Sequence, residues 1–205
     1  MDYSALASRE RIEKTITALK ANNFDAISVA TGADALAKIK ELIPKGASVM
    51  NGSSTTLIQM GFIEYLKSGA HGWDNLHEKV LAEKDPIKQA QLRKMSVISD
   101  YYLGSAHAVT EDGSIMFASN TGSQLPHLAF TSPNVILVVS TKKIVTDIPD
   151  GFARIDTHIV PLEDVRMMKA YNAHTMHSKT LILHKENPMF GRKVLVIFVE
   201  EDLGF

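Results

Sequence analysis

Residues 135–139 read Val-Ile-Leu-Val-Val, five consecutive aliphatic side chains, three of them valine. A strand with water on one face alternates apolar and polar residues. An unbroken β-branched run instead fits a strand covered on both faces, as in a parallel sheet with helices above and below it. This segment therefore directs the chain toward an α/β fold, and the flanking pattern agrees. Residues 5–22 are helical in period, with Ile12, Ile16 and Leu19 on one face. Residues 25–30 read as a short strand. Thr31 and Asp34 have capping-box spacing ahead of the stripe Leu36, Ile39 and Ile43, which Pro44 and Gly46 stop.

The alternation continues. Residues 47–50 form a brief apolar run, read as a buried strand that leads into a small polar loop and a helix over 57–66. Residues 85–100 predict a long helix opened by Pro86. Residues 106–110 and 114–118 predict two strands around the turn Glu111-Asp112-Gly113. A helix is expected from Asn120 to about Phe130, two short helices over 149–158 and 161–170, and a last strand over 194–199. Residues 68–84, around Trp73, are mixed and polar, residues 174–188 are polar and irregular and could form a lobe or hairpin, and either segment could form a lid. No repeat and no linker divides the chain, so one α/β domain over 1–205 is expected, with a mostly parallel sheet and helices on both faces.

Composition excludes several classes of function. The 205 residues contain no cysteine, which removes disulfides, thiolate metal sites, iron–sulfur ligation and a cysteine nucleophile together. With 22 basic and 23 acidic residues the net charge is -1, far from the basic footprint of a nucleic-acid binder. No apolar run reaches the roughly 18 residues of a membrane span. Met1-Asp2-Tyr3-Ser4 lacks the cationic and apolar regions of a secretory signal, so a cytoplasmic location is expected.

Four segments could carry chemistry. The loop Gly52-Ser53-Ser54-Thr55-Thr56 lies between a strand and a helix. Its amides and hydroxyls suit a phosphate, a carboxylate or a nucleotide pyrophosphate, and they equally suit a capped helix start. It lacks the lysine and spacer of a Walker A loop. The segment from His107 to Gly113 sets Glu111 and Asp112 at a strand end. Glu111 there could act as base or nucleophile, although a plain Asp-Gly turn between strands is the commoner outcome. Asn120, Thr121, Gly122 and Ser123 form a second small polar helix start, or merely a cap. Lys142 and Lys143 follow the best strand and could neutralise an anion, where a solvated pair is the usual outcome. His174, His177 and His184 have spacing compatible with a metal. No acidic ligand is placed to match, so a polar surface is preferred and no metal site is assigned.

Residues 49–57, residues 100–113, the strand 135–139 with Lys143-Ile144-Val145, and the tail Leu203-Gly204-Phe205 together resemble the LUD-domain (lactate utilisation) proteins of bacteria. The resemblance implies a fold like that of ribose-5-phosphate isomerase, glucosamine-6-phosphate isomerase and the CoA transferases. In that superfamily a small-residue loop holds phosphate and an acidic residue from a later strand end does the chemistry. Carried over, Gly52, Ser53, Ser54, Thr55 and Thr56 bind a small anionic metabolite, Glu111 is the acid, and Asn120, Thr121 and Gly122 line the same cleft. His107 and Lys143 complete the ligand-binding set. The resemblance further implies support of lactate or related organic-acid use, beside iron–sulfur or oxidase-like partner proteins. Alternatives are a non-catalytic subunit of a redox complex, or an isomerase or CoA-transferase-like enzyme. Some family members carry a cysteine cluster corresponding to residues 166–188, where this chain has Met167, Met168, Met176 and His177. Electron transfer by this subunit alone is therefore not expected, and no cofactor is named. A homo-oligomer is expected only because such assemblies are common.

Overall fold

The computed structural model describes residues 2–205. In chain order the elements are α1 (Arg9–Ala21), β1 (Asp25–Val29), α2 (Gly32–Leu42), β2 (Ser48–Asn51), α3 (Thr55–Gln59), α4 (Phe62–Lys67), β3 (Asp74–Asn75), α5 (Leu76–Ala82) and α6 (Pro86–Met95). There follow β4 (Tyr101–Gly104), β5 (Ala108–Thr110), β6 (Ile115–Ser119), β7 (Asn134–Ser140), β8 (Ile144–Val145), α7 (Ile148–Arg154), α8 (Val160–Tyr171), β9 (Lys179–Leu183) and β10 (Lys193–Val199).

Six strands form an all-parallel sheet in the order β1-β10-β7-β4-β2-β3. The aliphatic run occupies β7, between β10 and β4, where it meets partners on both edges. Its side chains alternate between two cores. Val135, Leu137 and Val139 pack with Ile12 and Leu19 of α1, whereas Ile136 and Val138 pack with Ala35 and Ile39 of α2. All five are at most 3% exposed. Burial of each contributes roughly 1.5–3 kcal/mol, so this strand ties both helical layers to the sheet. The Thr31–Asp34 capping box forms as expected.

The two strands expected around the Glu111-Asp112-Gly113 turn form as β5 and β6, but their membership in a separate second sheet was not anticipated. Four strands lie in the order β8-β5-β6-β9, with β5 antiparallel to β6, β6 antiparallel to β9, and β5 parallel to β8. Residues 174–188 supply β9, which pairs antiparallel with β6 and not within a local hairpin, so that segment is partly sheet. Strand β4 also went unread: the α6 helix ends at Met95, earlier than residue 100, and Tyr-Tyr-Leu-Gly is too short to show a period. The helix expected over 57–66 is two pieces, α3 and α4. Residues 121–124 form turns, and the expected helix is confined to residues 125–131, wound as a π-helix over His127–Thr131. The two helices expected over 149–170 are joined through a π-turn at Ile155–Ile159. Pro161 follows that turn and has no N–H to donate, which suits a locally widened helix. Among the described residues no helix is long and apolar enough to cross a membrane.

Candidate functional site

Ligands in open parallel sheets bind beyond the carboxyl ends of the strands. Here β2, β4 and β7 end side by side, and the chain leaves each through small polar residues. Beyond β2 lie Gly52 to Thr56, where the Ser54 hydroxyl caps α3 by accepting from the Leu57 amide at 3.3 Å. Beyond β4 lies Ser105. Beyond β7 the chain makes a single 3-10 turn, Thr141–Lys143. These exits form the floor of a cleft of about 680 Å³. That is ample for a metabolite.

Lys143 is the centre of the floor. Contrary to the usual outcome for a lysine pair after a strand, it is only 4% exposed. Its Nζ donates to Thr56 Oγ1 at 3.0 Å and to Ser105 Oγ at 3.2 Å, and Thr56 Oγ1 donates to Ser105 Oγ at 3.4 Å. Among the described residues no carboxylate pairs with it. Burial, and then the charges of Arg154 and Lys142, hold its amine well below the ordinary lysine value. The neighbouring Lys142 is treated differently. It is 7% exposed, pairs with Asp202 and donates to the Gly204 carbonyl at 2.7 Å. This draws the Leu203-Gly204-Phe205 segment onto the floor. Gly204 sits at φ +70°, and a Cβ there would collide with Thr56 Oγ1 and come within 2.9 Å of Lys143 Nζ.

The walls come from both sheets and from three helices. The second sheet supplies His107, ahead of β5, together with Ser119, Asn120 and Thr121 at the end of β6. His107 Nδ1 accepts from the Ala118 amide at 3.2 Å. Burial pushes this imidazole down to about 3, helped by the charges of Lys143, Arg154 and His177, so it is neutral in any ordinary buffer. Helices α5 and α6 supply His77 and Arg93. Arg93 is exposed, has no carboxylate partner among the described residues, and adds to the burial that lowers His77. Helix α8 supplies Glu163 and Arg166, which bind each other through two hydrogen bonds of 2.6 and 2.7 Å. Asn51 Oδ1 and His77 Nδ1 are buried at the wall without a hydrogen-bond partner. The cleft thus holds one exposed cation, Arg93, and one buried amine, Lys143, and among the described residues no carboxylate pairs with either.

Most of the residues singled out in the sequence meet here. Gly52, Ser53, Ser54, Thr55, Thr56, His107, Asn120, Thr121 and Lys143 all line the cleft, and Gly122 lies next to it between Thr121 and Ser123. Glu111 does not. It sits four residues beyond His107 on an extended chain, roughly 13 Å away at strand rise. There its carboxylate binds Arg11 Nε and Lys14 Nζ of α1, each at 2.6 Å. Two hydrogen bonds from those cations hold it below the usual carboxylate range. The reason is the turn itself. Gly113 at φ +86° abuts the backbone of Ala18 and Leu19 so closely that a Cβ would fall 2.7 Å from the Ala18 carbonyl carbon. This locks Glu111 over α1. The histidines of residues 174–184 also separate: His174 binds Asp164, His177 binds Asp156 at 2.7 Å, and His184 meets Ser114 at 3.2 Å. No group of three metal-ligating side chains occurs among the described residues. Sequence reasoning missed Ser105, His77, Arg93 and Arg166. Ser105 follows the unread strand β4, and the other three lie on helices whose cleft-facing side carries no periodic signal.

The LUD domain matches residues 12–199 of the chain. A crystal structure of a DUF162 family protein from Deinococcus radiodurans superposes with a TM-score of 0.56 at 13% identity, covering 95% of this chain and 99% of that one. At this identity the likeness is one of fold. No curated protein matches the sequence.

Proposed function

The chain belongs to the LUD-domain family, which is associated with lactate utilisation, and on that premise we propose that it binds a small organic anion of the lactate type in the cleft over Lys143. The observation that carries this is a buried amine with no carboxylate partner. Taking an ammonium group out of water costs several kcal/mol unless a counter-charge accompanies it. A ligand carboxylate reaching the floor supplies that charge. The hydroxyls of Ser53 and Thr55 donate to its oxygens, and Arg93 adds a cation at the wall. In support of organic-acid use, the cleft offers polar donors and cations but no free carboxylate that would repel an acid.

A thermal-shift comparison of L-lactate, pyruvate, ribose 5-phosphate and inorganic phosphate tests this. A ligand at a hundred times its Kd stabilises the folded state by about 2.7 kcal/mol. For a chain of this size that raises the melting temperature by roughly 5–10 °C. The carboxylates raise the melt of the wild type and leave Lys143→Met unmoved. No rise with any anion contradicts the proposal.

A second reading, a non-catalytic subunit that docks an iron–sulfur or oxidase-like protein, draws on α6. That helix buries none of its side chains, and Ile87, Met95 and nearby Ile98 are 73%, 69% and 77% exposed. Ile87→Ser with Ile98→Ser then breaks such a complex while preserving the anion-dependent melt.

A further inference from the structure

We propose that Lys143 is a covalent centre: its amine forms an imine with the carbonyl carbon of a 2-oxo carboxylate held in the cleft. This rests on the anion-binding reading above and goes further, naming the reacting atom and the class of ligand.

The contrast between adjacent lysines is the starting point. Lys142 and Lys143 are both buried, 7% and 4% exposed. Lys142 receives Asp202 and a backbone carbonyl, the surroundings of an ammonium ion. Lys143 receives two hydroxyls and no anion, while Arg154 and Lys142 stand as its charged neighbours. Both influences, dryness and nearby positive charge, favour the neutral amine, the form with a lone pair to attack carbon. The amine is also presented to the ligand, since Lys143 lines the cleft between Thr56 and Ser105.

The ligand must then carry two features. Arg93 and the hydroxyls of residues 53–55 select a carboxylate. The neutral amine selects an electrophilic carbon beside it. A 2-hydroxy acid satisfies the first requirement only, so it binds without reacting. A 2-oxo acid satisfies both.

The step balances without an oxidant or a metal. The Nζ lone pair attacks the ligand's C2, and the carbonyl π electrons move onto oxygen. One proton leaves nitrogen and reaches that oxygen, giving a carbinolamine. Thr56 Oγ1 and Ser105 Oγ, at 3.0 and 3.2 Å from Nζ, are placed to relay it. The C2–O bond then breaks as nitrogen's electrons form C=N, and the oxygen departs as water after taking a second proton from solvent. The protonated imine carries one positive charge opposite the ligand's own carboxylate. A floor that disfavours a lone ammonium thereby accepts an internally compensated adduct. Water reverses the sequence.

The test uses the intact protein with pyruvate and sodium cyanoborohydride, followed by mass spectrometry and peptide mapping. The expected result is a single adduct whose mass gain equals pyruvic acid less one oxygen atom. It maps to Lys143 and not to Lys142. L-lactate gives no adduct and, in excess, slows labelling by pyruvate. Lys143→Arg retains a long hydrogen-bonding side chain but abolishes the adduct. If that variant fails to fold, the wild-type peptide map decides alone. A pyruvate-dependent rise in melting temperature with no adduct overturns the imine and leaves the anion site standing. Neither a rise nor an adduct overturns both. Adducts spread evenly over surface lysines also overturn the assignment.

Discussion

Replacing Lys143 with methionine keeps an unbranched apolar stem in the floor and removes the amine. The consequence is a change in the pH dependence of stability. In the unfolded chain this lysine titrates near 10.5, and burial holds the folded value well below that. Between the two values the unfolded chain binds a proton that the folded chain lacks. Wild-type stability therefore rises with pH through this window, by at most about 1.4 kcal/mol per pH unit for one proton. Below the folded value both states are protonated and the slope vanishes, as it does above 10.5, where both are neutral. The methionine variant lacks this contribution at every pH. It also loses the hydrogen bonds to Thr56 and Ser105, about 1 kcal/mol each, but that offset does not vary with pH. Urea unfolding of both proteins from pH 7 to 10, with stability extrapolated to water, isolates the slope, because groups common to both chains cancel in the difference. The wild type should gain on the variant as pH rises. A difference that stays flat across the range means that the amine is solvated or paired in the folded protein, and the reasoning about the cleft floor fails.

Three further outcomes follow from the same contacts. Glu111→Gln removes ion pairs to Arg11 and Lys14, which are 34% and 63% exposed on their side chains, so about 1 kcal/mol of stability is lost. The anion-dependent melt shift should be unchanged in that variant, whereas its disappearance would put Glu111 in the site after all. Gly113→Ala meets both a left-handed backbone and the Ala18–Leu19 main chain, a combined cost of roughly 2–5 kcal/mol in urea unfolding, and a loss under about 0.5 kcal/mol would refute the tight contact. His127, 2% exposed, is pushed down to about 4 by burial. Since its unfolded value lies near 6.5, acidification from pH 6.5 to 4 costs up to roughly 3 kcal/mol at this residue, and His127→Gln should lose correspondingly less over that range.

Legibility in the sequence followed the physics of each segment. The β7 strand was plain because burial on both faces leaves a continuous aliphatic record. The β2 loop was plain because Gly-Ser-Ser-Thr-Thr between a strand and a helix restricts what the backbone can do there. Strand β9 was hidden: its Lys179 and Thr180 are exposed, and it pairs through only one edge, with β6. Strand β4 was hidden by its length of four residues. For the site, types were readable but distances were not. Lys143 was marked by its place after β7, yet nothing in Lys142-Lys143 says which of the two receives Asp202. Glu111 and Arg11 are a hundred positions apart, and only the fold reveals that they meet. A chemically apt residue at a strand end was therefore assigned to the cleft although it faces α1.

The account stands on an organic anion occupying the floor beside Lys143, and isothermal titration with pyruvate and L-lactate at neutral pH measures that occupancy directly. Saturable heat should appear with the wild type for both acids, persist in Glu111→Gln, and vanish in Lys143→Met. Absence of heat in the wild type, or equal binding by the methionine variant, would contradict it.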